Sequence, residues 1–260
     1  MSDTGSPVRA RKTDEDDFWP DDRPGLSRRT KMIGLGVALV VVVAAVVVVA
    51  VASFTGGDTN AASGGGSVLP TVYVPTAANE GTKKLNLRAG GDQRPLNEGE
   101  VFTDEAKSVS HGKYTFSLVR SEVSGNCRAA VWGDRLKADL QKFGCTQVVR
   151  GAYRSTDQRY VGQFVALNLD RIEGSEQIVR DLDPQVNGGF TLPLAANGLT
   201  NFGAGFSAAY PEIYGHYVVI SWVQRKGGAR PDSMNELLDA SLAIERAADF
   251  VWGRLVLADN

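Results

Sequence analysis

The sequence is poor in the residues on which most site chemistry depends. Its 260 residues include only two cysteines and two histidines. It has neither an HExxH motif nor paired CxxC motifs, so the ligand spacing of a zinc site is missing. The formal net charge is −2, from 28 basic and 30 acidic side chains, without the basic excess typical of nucleic-acid-binding proteins. We therefore predict no metal, no cofactor and no nucleic-acid partner.

Charge is also missing from one long segment, Met32–Phe54, which reads MIGLGVALVVVVAAVVVVAVASF. A helix of this length spans roughly 34 Å, enough to cross a hydrocarbon core of ~30 Å. Lys and Arg are frequent just before the segment and absent from the 21 residues after it, TGGDTNAASGGGSVLPTVYVP. By the positive-inside rule, the N-terminus is cytoplasmic and the C-terminal part lies outside. We predict a single-pass type II protein, anchored in the lipid bilayer of the cell membrane by this segment.

A cleaved signal peptide is the alternative to an anchor, because Ala50-Val51-Ala52 resembles a cleavage site. The apolar run is, however, longer than the usual ~7–15 residues of a signal peptide. An uncleaved signal-anchor is therefore favoured.

Composition divides the rest of the chain into three parts. Residues 1–31 are polar and highly charged, which predicts a disordered cytoplasmic tail. Residues 55–79 are rich in Gly, Ser, Ala, Thr and Pro, which predicts a flexible stalk. Residues 80–260 have the length of one ordinary domain, which we place outside the cytoplasm.

The hydrophobic pattern of residues 80–260 indicates a mixed fold. Apolar residues recur at helical spacing in three main segments, residues 134–143, 172–182 and 231–257. Strand-like patterns occupy four others, residues 146–154, 159–169, 205–210 and 216–225. Weaker signals indicate a short helix near 97–107 and a strand at 113–120. The order predicts an α+β domain, with an antiparallel sheet backed by helices and the strand 216–225 near its centre.

Cys127 and Cys145 could form a structural disulfide, a redox pair or part of a metal site. Their separation of 18 residues lacks the CxxC spacing of a redox pair, and disulfides persist outside the cytoplasm. One straight helix over 128–143 would place its ends roughly 24 Å apart, whereas bridged cysteines need Cα atoms within about 7 Å. We favour the disulfide, which requires an extended 127–133 and a break near Gly133.

A glycine-rich segment at 184–204 is the main candidate for a binding loop. It carries five large apolar side chains: Phe190, Leu192, Leu194, Leu199 and Phe202. If these face solvent, they form a ligand or partner site. If they fold back, they cover the core. The sequence does not decide between the two.

The sequence gives little support for catalysis, and we predict no catalytic residues. Ser207 lies in GFSAA, a degenerate nucleophile elbow, and His216 is near it in sequence. Pro211 interrupts the helix that such an elbow needs, and a buried structural histidine is the simpler interpretation. Asp181 and Asp183 could act as an acid/base pair, although residues at a helix end more often cap or solvate a loop.

The large aromatic residues are expected in the core. A carbohydrate-binding platform is the alternative, and it would need several of them exposed and coplanar. The residues concerned are Trp132, Trp222, Trp252, Tyr153 and Tyr160.

Two stretches carry a resemblance to a known group of proteins. CRAAVWG and, after a short helix, GCTQVVRGAYRSTDQRYVG resemble the ectodomain of actinobacterial single-pass membrane proteins of unassigned function. The similarity covers Cys127 to about Arg225. It implies a cell-envelope location and supplies no catalytic residues. We expect a non-enzymatic binding, sensing or assembly module with a possible envelope protein partner; a membrane-tethered hydrolase acting on cell-envelope material is the alternative.

Overall fold

The computed structural model describes residues 68–258. The predicted cytoplasmic tail, the predicted membrane anchor Met32–Phe54 and residues 55–67 of the predicted stalk lie outside the described residues. Within residues 68–258, no helix is both long and apolar enough to span a bilayer.

A seven-stranded sheet forms the centre of the domain, in the order β1-β8-β9-β6-β5-β3-β2. The strands are β1 Val72–Tyr73, β2 Ser108–His111, β3 Tyr114–Ser124, β5 Gln147–Ser155, β6 Tyr160–Asn168, β8 Ser207–Tyr214 and β9 Tyr217–Arg225. Only the β1–β8 pair is parallel, and the other neighbours are antiparallel. A separate antiparallel pair joins β4 Val131–Trp132 to β7 Phe190–Thr191. The predicted central position of the strand at 216–225 is confirmed.

Six α-helices flank the sheet in the described part of the chain. They are α1 Glu98–Val101, α2 Asp104–Lys107, α3 Asp134–Lys142, α4 Ile172–Asp181, α5 Met234–Glu245 and α6 Phe250–Leu257. The helix predicted near 97–107 is thus two short helices, because Asn97 and Thr103 each cap a new start. The prediction of a single helix over 231–257 is wrong, because a 3₁₀ turn at Arg246–Asp249 separates α5 from α6.

Both faces of the sheet are covered, and alternate side chains of each strand point to opposite sides. On β6, Val165 and Leu167 enter the core beneath α3, α4 and residues 190–202. We call this side the disulfide face. Phe164 and Ala166 enter the core beneath α5, α6 and residues 92–107. We call that side the arginine face. The predicted α+β domain, with an antiparallel sheet backed by helices, is therefore confirmed.

The disulfide between Cys127 and Cys145 is confirmed, with Cα atoms 6.2 Å apart. The break before α3 is also confirmed, because Gly133 has a φ of 94°. A Cβ at this position would lie 2.3 Å from the carbonyl oxygen of Gly188, so only glycine fits. The prediction that all of 127–133 is extended is wrong: Cys127–Ala130 forms a 3₁₀ turn, capped by the side chain of Asn126.

The chain joins the domain earlier than residue 80. The amide of Thr71 donates to the carbonyl of Ser207 (2.9 Å), and that of Val74 donates to Ala209 (3.0 Å). The amide of Asn79 donates to Ile213 (2.9 Å). Residues 71–79, assigned by composition to the stalk, thus run along β8, and Val74 is buried in the core.

Candidate functional site

On the arginine face, a buried arginine connects α6 to residues 92–100. Arg254 on α6 is 1 % exposed. Its Nη1 donates to Asp92 Oδ1 and to the Arg94 carbonyl, both at 2.6 Å, and Nη2 donates to the Pro95 carbonyl at 3.0 Å. Nε and Nη2 also bind the two carboxylate oxygens of Glu100. All five N–H groups of the guanidinium therefore have acceptors, as a buried arginine requires.

Asp92 extends this network to β9. It is 3 % exposed, and it accepts the hydroxyl of Tyr217 at 2.6 Å. Burial, together with Asp92, raises the pKa of Tyr217, so the phenol stays protonated and remains a donor. The network thus joins residues 92–100, the centre of the sheet and α6. Through Glu100 it also holds α1 against α6.

A groove of about 750 Å³ lies between residues 94–106 and residues 246–257. Its most buried lining residues are apolar: Val101, Ala106 and Phe250. Gly253 lines it from α6, and a Cβ added there would meet no atom within 4 Å. The groove is therefore open along the helix backbone.

The rim of the groove carries charges of both signs. Arg94 approaches Glu100 at 3.8 Å, but both oxygens of Glu100 are already bound by Arg254. Arg246 pairs with Asp249 at 3.4 Å, and both side chains are about 60 % exposed (61 % and 59 %). Such exposed pairs are weak. Both arginines therefore keep donors available to an external carboxylate.

Exposed apolar side chains gather on α6, the helix that lines one side of this groove. The described part of the chain has five exposed large hydrophobic residues, and three of them, Trp252, Val256 and Leu257, lie on α6. Their exposed fractions are 44 %, 63 % and 52 %. Concentration of apolar surface on one helix, next to a polar rim, is typical of a contact surface.

The segment predicted as a possible binding loop does not face solvent. Phe190, Leu194, Leu199 and Phe202 are buried, and Leu192 is half-buried. The rings of Phe190 and Phe202 lie 5.0 and 4.5 Å from that of Trp222. This segment covers the core of the disulfide face, which was the alternative left open by the sequence.

Ser207 and His216 are not brought together. Ser207 begins β8, whereas His216 follows its last residue, Tyr214. At about 3.3 Å per residue, the two ends of the strand lie roughly 23 Å apart. Both side chains are fully buried. Burial lowers the pKa of His216, and its Nδ1 donates to the Leu85 carbonyl at 2.6 Å, so it is a neutral structural histidine.

The side chains of Asp181 and Asp183 also bind different partners and do not form a pair. Asp183 accepts the amide of Gln185 in the turn after α4. Asp181 is fully buried and pairs with Arg135 at 2.8 Å, while Gln177 donates to it at 3.0 Å. Burial, followed by a hydrogen bond with Asp139, raises the pKa of Asp181 to about 6. This carboxyl links α3 to α4 rather than forming an acid/base pair with Asp183.

Most of the aromatic residues lie in the core, as predicted. Trp222, Tyr153 and Tyr160 are buried, and the indole of Trp132 donates to the Val68 carbonyl at 3.1 Å. Trp252 is the exception: the prediction that it belongs to the core is wrong. A platform of several exposed aromatic rings is not formed by these residues.

The groove and the Arg254 network were missed by sequence reasoning. One signal was present: Arg254 is the only charged residue in FVWGRLVL, the sequence of α6. A single cation in an apolar helix either marks the solvent side or needs buried acceptors. Those acceptors lie more than 150 residues earlier, and nothing local indicates them.

Within residues 68–258, no group of three or more His, Cys, Asp or Glu side chains is arranged to hold a metal ion. No protein-family model, curated protein sequence or solved structure matches this chain.

Proposed function

We propose that this protein is a membrane-anchored, non-enzymatic binding or assembly module of the cell envelope, and that it holds a short segment of a partner protein in the groove beside α6. One observation carries the proposal: the exposed Leu257 lines a groove whose floor is apolar and whose rim is charged, and the exposed Trp252 and Val256 lie on the same helix, α6. This is the composition of a protein–protein contact, with an apolar centre and a polar edge.

The size of the surface favours a short segment over a globular partner. From Arg246 to Leu257 the helical chain rises roughly 17 Å, which matches about five residues of extended peptide. Three partly exposed side chains supply on the order of 300 Å², well below the ~800 Å² that each partner contributes to a standard interface. A second copy of this domain would therefore form only a weak dimer through this face.

The charges of the rim also restrict the kind of molecule that can bind in the groove. Arg94 and Arg246 retain donors for a carboxylate, since their own partners are distant or exposed. Asp249 and Glu105 on the same rim would repel an anionic lipid surface. We therefore assign to the groove an extended peptide segment with an apolar side chain flanked by a carboxylate.

The proposed location rests on the sequence. The uncharged run Met32–Phe54 and the basic residues before it favour an anchor with the domain outside. The Cys127–Cys145 disulfide fits an oxidising compartment, and the resemblance to actinobacterial envelope proteins agrees with it. The hydrolase alternative gains no support from Ser207 and His216, because they lie at opposite ends of β8.

Site-specific photo-crosslinking in intact cells tests the groove. A photoreactive residue replaces Val256 in the full-length protein, and a matched one replaces Ala195, which is exposed on the disulfide face. We expect an adduct from position 256 alone, and mass spectrometry should map it to a partner segment with an acidic residue next to an apolar one. Equal adducts from both positions, or a lipid or nucleic-acid adduct from position 256, would contradict the proposal.

Two substitutions sharpen that experiment. Gly253→Gln fills the groove without strain, because the position is open and lies on a helix. Arg94→Glu reverses the charge that we assign to the partner carboxylate. Both should abolish the adduct, whereas Arg128→Glu, at an exposed position of the disulfide face, should leave it unchanged.

Protease protection tests the location. In intact spheroplasts, a C-terminal tag on the full-length protein should be digested from outside, and an N-terminal tag should survive. Protection of the C-terminal tag would contradict the proposed topology.

A further inference from the structure

Two glutamates meet where α5 ends against β8. Glu212 of β8 and Glu245, the last residue of α5, both approach the hydroxyl of Tyr214. The phenol oxygen lies 2.7 Å from Glu212 Oε2 and 3.4 Å from Glu245 Oε1. A phenol carries one hydrogen, so it serves as donor to only one of the two carboxyls.

The charged groups around Glu212 and Glu245 do not offset the repulsion between the two carboxylates. Asp249, in the turn after α5, adds a further negative charge, and Arg246 beside it is exposed and paired with Asp249. The charged side chains of the 3₁₀ helix Glu80–Leu85, which contacts the same strand, are those of Glu80, Lys83 and Lys84; all three are exposed, and Glu80 pairs with Lys83. Two carboxylates that share one donor in a partly buried site favour retention of a proton by one of them.

We propose that Glu212 and Glu245 share one proton at neutral pH, and that loss of this proton loosens the junction of α5 and α6 from β8. The shared proton places a carboxylic acid where a second carboxylate would repel the first. Burial, followed by the charge of Glu212, raises the pKa of Glu245 to about 8, and burial raises that of Glu212. The shared proton is therefore lost near pH 8.

The pair is connected to the exposed surface of α6. The ring of Tyr214, which bonds the glutamates, packs edge-on against Trp252 with centroids 6.1 Å apart. Trp252 belongs to the exposed apolar surface of α6, which reaches the groove at Leu257. Release of the junction would thus alter that surface, and only this consequence rests on the proposed function.

Hydrogen exchange of the full-length protein tests whether loss of the shared proton loosens this junction. Amides of α6, corrected for the intrinsic pH dependence of exchange, should exchange about tenfold faster for each pH unit up to about pH 8 in the wild type. Glu245→Gln keeps a neutral side chain at all pH values, so this dependence should vanish. Glu173→Gln, the same substitution at an exposed position of α4, should behave like the wild type.

Carbon-13 NMR of labelled glutamate side chains supplies a second readout. One carboxyl should titrate near pH 8 in the wild type and be absent in Glu245→Gln. Ionisation of every glutamate below pH 6, or an unchanged pH dependence of exchange in Glu245→Gln, would overturn the inference. The crosslink from position 256 is measured at a single pH and does not depend on the titration of Glu245. If no crosslink forms but one glutamate still titrates near pH 8, only the proposed function is contradicted.

Discussion

The two faces of the same sheet are closed by different interactions. On the disulfide face, Cys127 is bonded to Cys145, and Phe190 and Phe202 pack on Trp222. On the arginine face, Arg254 is bonded to five acceptor atoms of four residues in the range 92–100. A buried guanidinium needs an acceptor for each N–H group, and these hydrogen bonds depend on direction and distance. The arginine face can therefore hold an open groove in a defined shape.

The difference also separates the two faces in their response to pH. The disulfide does not titrate, although Asp181 adds one buried carboxyl between α3 and α4. The arginine face contains the Glu212–Glu245 pair next to the exposed Trp252. The two faces should therefore respond to pH in different ranges, the disulfide face up to about pH 6 and the face with the exposed apolar residues up to about pH 8.

Removing the cation should produce the largest loss of stability. Arg254→Met leaves Asp92 and Glu100 without their buried partner, and we expect the free energy of unfolding to fall by about 3–5 kcal/mol. Chemical denaturation of the full-length protein measures it. Arg246→Met, which removes an exposed arginine from the same rim, should change it by less than about 0.5 kcal/mol. Equal effects of the two substitutions would contradict the role given to Arg254.

Removing the disulfide should have the next largest effect. The double variant Cys127→Ser/Cys145→Ser opens a loop with a sequence separation of 18. In the entropic model this lowers the free energy of unfolding by about 3 kcal/mol. Denaturation of the variant and of the reduced wild type should agree. A loss larger than that of Arg254→Met would reverse the proposed ranking of the two faces.

Asp181 gives the disulfide face a pH dependence of its own. Its pKa is raised to about 6, so between roughly pH 4 and pH 6 the folded state holds a proton that the unfolded state has lost. The free energy of unfolding should therefore fall as pH rises through this window, by on the order of 1–3 kcal/mol, and level off above it. In Asp181→Asn this contribution should disappear, while Asp183→Asn, in the neighbouring turn, should keep it.

The exposed residues of α6 should matter least for stability. Val256→Ser alters a side chain that is 63 % exposed, and the free energy of unfolding should change by less than about 0.5 kcal/mol. Val251→Ser, at a fully buried position of the same helix, should be strongly destabilising. If Val256→Ser were as harmful as Val251→Ser, the α6 surface would be part of the core.

Local patterns were sufficient to predict the central elements. The hairpin of β5 and β6 and the helices α3 and α4 follow from periodicity over about ten residues each. The break at Gly133 follows from the distance that a disulfide permits, which is a constraint between two residues of nearby sequence. These are short-range relations that one sequence contains in full.

The arginine face could not be predicted in the same way. Its defining contact joins Arg254 to Asp92, which are 162 residues apart. In addition, the 3₁₀ turn at Arg246–Asp249 has about 3.0 residues per turn instead of 3.6, so it changes the direction in which later side chains point. A continuous helix would place Trp252 in the core, whereas here Arg254 is buried and Trp252 is exposed.

Hydrogen exchange in a crossed design tests the separation of the two faces most directly. Exchange of α3 and α6 is measured in the full-length wild type, oxidised and reduced, at pH 6 and pH 8. We predict that raising the pH lowers the protection of α6 in both redox states, and that reduction lowers the protection of α3 at both pH values. Loss of protection in both helices under either treatment alone would show one cooperative unit and contradict the account.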